Sequence, residues 1–371
     1  MAELKLLIVE DDAELITAYN RDIQSFNLAS DVKIIQQHVA DKEAALNILK
    51  DKKVYFDAAI VDLKLDSNEK TDDNYSGNDV IREIKSNLRF PVFVVTGTPQ
   101  HISEDLKIES SFFKIKTRGE EDNHLEQLVD IYKTGITKII NSKGHIEDFL
   151  NNIFWNHLSN SMENWIKDES RSPEEKQKSL LRYTLMHMQE YIDEDIEKYH
   201  PSEFYIIEPI KKHIYTGDII TFEENRYIVL TPSCDIVLRP DKTRNTKRIL
   251  FCKIKKLDEV IENYSNLSLE TGENNPAKRS LNNYIQNNSK QNFHFIPKSN
   301  LIEAGLIDFQ DKLTIAENEV NGLVENGKIV RKAAISTPFL KDIISRYSNY
   351  YARQGSPDFD KEEIYKSLFK K

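Results

Sequence analysis

Phe56-Asp57-Ala58-Ala59-Ile60-Val61-Asp62 is a short apolar run that closes on a carboxylate. A run of that length between turn signals, with little polar alternation, reads as a strand buried on both faces. Upstream, Leu6-Leu7-Ile8-Val9-Glu10-Asp11-Asp12 has the same form and ends in three acids. Downstream, Pro91-Val92-Phe93-Val94-Val95-Thr96-Gly97 ends in a hydroxyl, and Ser111-Phe112-Phe113-Lys114-Ile115-Lys116 ends in a cation. A further strand is predicted over 32–36. Helical spacing fills the intervals, over 13–24, 42–49 and 78–87, with a last helix over 122–140. Strands alternating with helices predict a parallel sheet covered on both faces. The strand ends of such a sheet converge on one edge, where doubly wound folds place their chemistry. The expected fold of residues 1–140 is α/β, (βα)5 and flavodoxin-like in kind.

The chain has 371 residues, enough for two or three domains with cores of their own. Its net charge of −10 is unevenly spread. Residues 1–140 hold 18 Lys and Arg against 26 Asp and Glu, a net of −8, so the remainder carries only −2. Acidity concentrated in the first domain suits binding of a divalent cation. Two cysteines, Cys234 and Cys252, make no disulfide framework and point to a reducing cytosol. The start, Met1-Ala2-Glu3-Leu4-Lys5, lacks the basic stretch and long apolar run of a signal peptide. No run approaches the roughly 20 apolar residues of a membrane span. The expectation is a soluble, cytoplasmic protein with no membrane partner.

After residue 140 the texture changes twice. Residues 141–200 are helical in pattern and read as a connector, with Ser172-Pro173-Glu174-Glu175 as a helix start. Residues 201–371 read as an α+β module. Its expected strands are Phe204–Ile207, Gly217–Phe222, Arg226–Leu230 and Arg248–Cys252, forming a small β-barrel or curved sheet. The stretch 262–300, rich in Asn and Ser, is expected to be a long surface excursion. Pro338–Tyr351 carries a helical apolar stripe.

The order of acids, acceptor, hydroxyl and cation along four strand ends resembles the receiver domain of two-component response regulators. The resemblance covers roughly the first 140 residues. Phosphorylating a carboxylate needs a divalent metal and several fixed donors around the phosphoryl oxygens, and hard oxygen ligands suit Mg²⁺. By this resemblance Asp62 is the phosphoacceptor. Glu10 and Asp11 form the metal-binding pair with Asp11 the more direct ligand, and Asp12 flanks them. The backbone carbonyl of Lys64 completes the protein ligands of Mg²⁺. Thr96 and Lys116 bind phosphoryl oxygens, and Gly97 leaves room beside Thr96. Lys114 rivals Lys116, but a lysine three positions after Phe113 fits the family pattern better. Phe113 itself takes the place of the family's rotamer-switching aromatic. The implied partner is a sensor histidine kinase, and a homodimer fits as well.

Two departures stand out. Asp66 occupies the place where receivers usually carry Pro, and the following Gly77 is delayed by the acidic insertion Ser67-Asn68-Glu69-Lys70-Thr71-Asp72-Asp73. Lys116 is followed by Thr117 and not by Pro. Both bear on kinase specificity and phosphate lifetime more than on the chemistry.

The C-terminal half offers thinner signals. His187 suits packing on a helix among methionines better than phosphotransfer. Thr231-Pro232-Ser233-Cys234-Asp235 places a thiol beside a carboxylate, and Arg239–Lys256 supplies eight cations against Asp241. A receiver-gated enzyme or nucleic-acid binder built on Cys234 and Asp235 is the alternative to a signalling role. The favoured expectation is a small buried Cys234 with Asp235 capping the turn, and a basic string that is solvated or docks an acidic partner. Nucleic-acid binding is not expected, because the string holds few aromatics and the chain is acidic. Gly217-Asp218-Ile219, Thr231–Asp235, Phe293-His294-Phe295-Ile296-Pro297 and the tyrosine- and arginine-rich tail 346–358 together resemble a module beside receivers in bacterial defence loci. The nearest such family is the receiver-bearing partner protein of Detocs-type anti-phage two-component systems. That resemblance implies a phosphate sink or regulator acting through protein contacts with a kinase and an effector, not an enzyme with an external substrate.

Overall fold

The computed structural model describes residues 2–51, 53–65, 75–119, 123–193, 198–241, 243–288, 290–353 and 358–369. They form two compact units, Met1–Ile196 and Glu197–Lys371.

In the first unit, β1 (Ala2–Val9), β2 (Val32–Val39), β3 (Ala58–Val61), β4 (Val92–Thr96) and β5 (Phe113–Thr117) make a parallel sheet in the order β2-β1-β3-β4-β5. Alternation across the pleat sends Leu7, Val9, Ala59, Val61, Val92 and Val94 to one face, where α2 (Lys42–Lys50) and α3 (Gly77–Asn87) cover them. Leu4, Leu6, Ile8, Ala58, Ile60 and Phe93 go to the other face, under α1 (Ala13–Ala29) and α4 (His124–Lys133). Both faces are covered, and this is why the inner strands β1, β3 and β4 read as apolar runs, while the edge strands β2 and β5 carry polar residues.

Two features differ from the regular pattern. Between β4 and β5 the described chain makes two single 3₁₀ turns, Pro99–His101 and Glu104–Leu106, where a full repeat would place a helix. The last helix, expected over 122–140, is broken: α4 ends at Lys133, Gly135 takes φ +80°, and a short α5 (Ile136–Ile140) follows. The acidic insertion after Asp62, Asp66 included, lies outside the described residues.

The helical segment belongs to this first unit. Asn141 donates its side-chain amide to the Phe56 carbonyl at 2.9 Å, and the Lys143 ammonium reaches the Lys53 carbonyl at 2.8 Å. Then α6 (His145–Asn152), a π-helical turn (Ile153–Leu158) and α7 (Ser159–Ile166) run on, and α8 (Pro173–Asp193) packs back along them. Among the described residues, no helix is long and apolar enough to cross a membrane.

The second unit is a curled antiparallel sheet of seven strands, a half-barrel in the order β10-β11-β9-β8-β7-β12-β6. It comprises β6 (Tyr205–Ile207), β7 (Asp218–Phe222), β8 (Asn225–Val229), a single helical turn α9 (Ser233–Ile236), β9 (Arg248–Lys255), α10 (Pro276–Ile285), β10 (Phe293–Ile296), β11 (Gly305–Ala316), α11 (Glu317–Glu325), β12 (Ile329–Ile335), α12 (Thr337–Ala352) and α13 (Lys361–Phe369). One face packs Ile219, Ile228, Cys252 and Ile254 toward α12, and the other packs Ile220, Val229 and Phe251 toward α11. The four strands expected before residue 255 are present. The expected surface excursion over 262–300 holds instead a helix and a strand. Asn275 caps α10 by accepting from the amides of Ala277 and Lys278, with Pro276 in the first turn.

Candidate functional site

The C-terminal edge of the parallel sheet assembles the site. Asp62 follows β3, is 5% exposed, and its amide donates to the Val9 carbonyl at 2.9 Å. Glu10 follows β1 and is 2% exposed. Its amide donates to the Val39 carbonyl, and its Oε1 accepts from the Asp12 amide at 3.1 Å. Asp12 is spent as the N-cap of α1, accepting from the amides of Glu14 and Leu15. Glu10, Asp11 and Asp62 each bring a carboxylate oxygen to within 4.8 Å of the others. Thr96, the last residue of β4, is buried beside them, and its hydroxyl accepts from the Thr98 amide at 3.3 Å. Lys64, Gly97 and Thr98 complete the rim of the pocket.

Gly77 returns the chain to the acceptor after the insertion. Its amide donates to the Leu63 carbonyl at 3.0 Å, and a Cβ there would stand 2.1 Å from the Asp62 carbonyl oxygen. The glycine delayed in sequence is thus adjacent in space, and only a bare Cα fits.

The electrostatics are those of crowded acids. Burial pushes the Glu10 carboxyl up to about 7, reinforced by Asp62 and Asp11 and opposed by the Asp12 amide and Arg118. Arg118 places one guanidinium nitrogen, Nη2, 3.0 Å from Glu10 Oε2 and 3.2 Å from Asp62 Oδ2. The other Asp62 oxygen, Oδ1, is buried and has no hydrogen-bond partner among the described residues. Three carboxylates around an orphaned oxygen, open to solvent on one side, suit a hard divalent cation that keeps several waters. The donor set therefore fits Mg²⁺, with Glu10, Asp11 and Asp62 as the side chains that would hold it.

The other residues singled out in the sequence are placed as follows. Lys116 lines the neighbouring groove with Tyr19, Asp22 and His124, its ammonium 5.8 Å from the Phe93 ring. Lys114 donates to Gln127 on α4 at 2.7 Å. Phe113 is buried under the Lys85 ammonium. His187 packs against the Tyr183 and His157 rings, and its Nδ1 donates to the Tyr183 carbonyl at 2.8 Å. In the second unit Cys234 is exposed, against the expectation of burial, because the single turn α9 points it outward while Ile236 takes the core position. Asp235 does not cap that turn; its side chain accepts from Asn245 at 3.1 Å and closes the loop. Three cations of the basic string are committed within the fold: Arg244 to Glu317, Arg248 to Thr314 and Lys255 to Asp311.

Arg118 is the residue that the sequence reading missed. The signal was present, since strand alternation puts Lys114, Lys116 and residue 118 on one side. A search for a lysine three positions after an aromatic passed over an arginine at five.

No protein-family model and no curated protein sequence matches the chain. Solved structures do. The chain is similar to the N-terminal domain of a response regulator/sensory box/GGDEF three-domain protein from Carboxydothermus hydrogenoformans, at 17% identity over 36% of this chain and 98% of that one, with a TM-score of 0.28. It is similar to a two-component response regulator from Cytophaga hutchinsonii, at 16% identity over 36% and 98%, with a TM-score of 0.27. A third is the receiver domain of the response regulator PhyR from Erythrobacter litoralis, at 20% identity over 36% and 90%, with a TM-score of 0.25.

Proposed function

We propose that the parallel-sheet domain is a phosphoacceptor in which Asp62 takes a phosphoryl group from the phosphohistidine of a sensor kinase. The observation that carries this reading is Asp62 Oδ1, a buried carboxylate oxygen without a partner at the edge where the acids converge. Leaving such an atom unpaired costs folding free energy, so its retention calls for a reason. A pocket that accepts a phosphoryl group supplies one.

In the transfer an Asp62 oxygen forms the bond to phosphorus as the phosphorus–nitrogen bond breaks, and the electron pair leaves with the donor imidazole. Thr96, held at the pocket wall, offers its hydroxyl to a phosphoryl oxygen. The Asp62 main chain is clamped by Val9 on one side and Gly77 on the other, so the acceptor is oriented before the donor arrives. Mg²⁺ held by Glu10, Asp11, Asp62 and the Lys64 carbonyl would neutralise the phosphoryl charge during transfer.

Incubation with acetyl phosphate and Mg²⁺, followed by intact mass, tests this. A single phosphoryl adduct that disappears in Asp62→Ala and without Mg²⁺ is the expected result. No adduct on the unaltered protein would leave a docking domain in place of an acceptor. In this reading the chain is a signalling protein, and its second unit acts through protein contacts. A phosphate store in anti-phage defence rests on the C-terminal sequence motifs alone; an adduct that decays within seconds would exclude storage.

A further inference from the structure

The geometry points to Arg118 as the cation that receives the phosphoryl group on Asp62, and that offsets part of the acidic charge of the acceptor pocket until then. This rests on the phosphoacceptor reading and assigns a residue within it.

Three facts carry the assignment. Among the described residues Arg118 is the cation in contact with the acceptor, at 3.2 Å from Asp62 Oδ2 and 3.0 Å from Glu10 Oε2. Its main chain is fixed, because its amide donates to the Thr96 carbonyl at 2.9 Å and so continues the ladder of β4 and β5 by one bond. Its side chain is a third exposed and lines both the acceptor pocket and the neighbouring groove, whereas Lys116 lines the groove alone. A pinned backbone with a half-free side chain at the wall between two cavities is suited to follow charge as it moves.

The charge does move. Before transfer, Glu10, Asp11 and Asp62 face Arg118, with Asp12 and Lys64 on the rim. Transfer removes the acceptor's negative charge and sets a phosphoryl group with about two in its place. A guanidinium presents paired N–H donors that match phosphate geometry, which an ammonium does not. No proton is exchanged with Arg118; the Asp62–phosphorus bond forms as the donor–phosphorus bond breaks. Before transfer, the same guanidinium competes with an incoming divalent cation for Glu10 and Asp62. Arg118 therefore opposes metal entry and favours the phosphorylated state.

The test compares Arg118→Ala, Arg118→Lys and Lys116→Ala with the unaltered full-length chain. The adduct formed from acetyl phosphate and Mg²⁺ is followed by intact mass, and Mg²⁺ binding to the unphosphorylated proteins by titration calorimetry. Loss of one preorganised donor to a phosphoryl group predicts that Arg118→Ala lowers adduct accumulation about tenfold or more, with part regained in Arg118→Lys. Lys116→Ala lowers it less. Arg118→Ala also binds Mg²⁺ more tightly, a gain that a merely structural role would not produce. An adduct retained in Arg118→Ala but lost in Lys116→Ala overturns the assignment, as does loss of both adduct and Mg²⁺ affinity in Arg118→Ala. No adduct on the unaltered chain sinks the phosphoacceptor reading itself, and the assignment with it.

Discussion

The two sheets of this protein handle buried charge in opposite ways. In the half-barrel the described buried ions are paired: Asp218 accepts from Arg331 at 2.8 Å, and Arg244 donates to Glu317 at 2.9 Å, with Arg331 Nη2 the one guanidinium nitrogen of these two left without a partner. At the edge of the parallel sheet, two of three clustered acids, Glu10 and Asp62, share one arginine, and Asp62 Oδ1 has no partner among the described residues. Desolvated charges are tolerated when paired and costly when not. The balanced set holds a fold together, and the unbalanced one is a site awaiting a ligand. The polar motifs of the C-terminal half sort the same way. Thr216 donates to the Thr231 carbonyl, the Leu250 amide donates to the Thr231 hydroxyl, and His294 meets Asp342 at 3.0 Å. Each motif residue in that group ties one strand or helix to another.

The contrast is broken most directly by removing one arginine from each sheet. Asp218 is 1% exposed and also takes the Tyr215 amide, so Arg331→Ala strands a buried carboxylate and is expected to cost about 3–5 kcal/mol. Arg118 is a third exposed at an open pocket, and Arg118→Ala should cost under about 1 kcal/mol. Urea unfolding of both variants decides it. Equal losses would mean that the acceptor pocket is a structural ion cluster.

Gly77→Ala probes the same edge by shape. A methyl 2.1 Å from the Asp62 carbonyl oxygen and 2.8 Å from the Leu63 Cα must displace main chain, because both obstacles are backbone. The expected cost is about 1–3 kcal/mol, with loss of the phosphoryl adduct. A fully competent Gly77→Ala protein would show that the acceptor turn is looser than its geometry.

The pH dependence sharpens the comparison further. Glu10 titrates near 7 in the folded chain against 4.5 for an ordinary glutamate. A folded-state value raised in this way means that the native protein holds a proton which the unfolded chain has released. Its contribution is complete below about pH 4.5 and is lost as pH rises through 7. Melting temperature should therefore fall between pH 5 and pH 8, and Glu10→Gln should flatten that fall. Mg²⁺ should recover stability more at pH 8 than at pH 5, because only ionised acids bind it. A Glu10→Gln protein with an unchanged pH profile would remove Glu10 as the source.

The same contrast explains what could be read from the sequence. The inner strands β1, β3 and β4 were legible because burial on both faces writes them as apolar runs, the acids were legible because they end such runs, and the edge strand β5 was legible from Phe113 and Ile115 alternating with lysines. The break at Gly135 was hidden by apolar spacing that continues through Ile136, Ile139 and Ile140. The twelve-residue β11 gave no clear strand signal because a bulge between Asp308 and Lys312 switches its faces. Ile307 and Phe309 face one core, while Leu313 and Ile315 face the other. In the stretch read as a surface excursion, Asn was taken for loop where Asn275-Pro276 is a cap followed by a first turn. Strand alternation puts Arg118 on the side of Lys114 and Lys116, but its pairing lies with residues 108 and 56 positions away, which no local pattern reports.

The smallest effect concerns the thiols. Cys252 is fully buried on β9, and burial pushes its thiol up to about 12, so it should resist a soluble disulfide reagent in the native state. Cys234 is exposed on its single turn and should react as one equivalent. Because Cys234 is exposed, Cys234→Ala should change stability by less than about 0.5 kcal/mol. The informative readout is biological: a folded Cys234→Ala protein that loses its cellular output while keeping the Asp62 adduct would move the working chemistry to the second unit. Retained output would leave the half-barrel as a sheet whose contribution is a surface for partners.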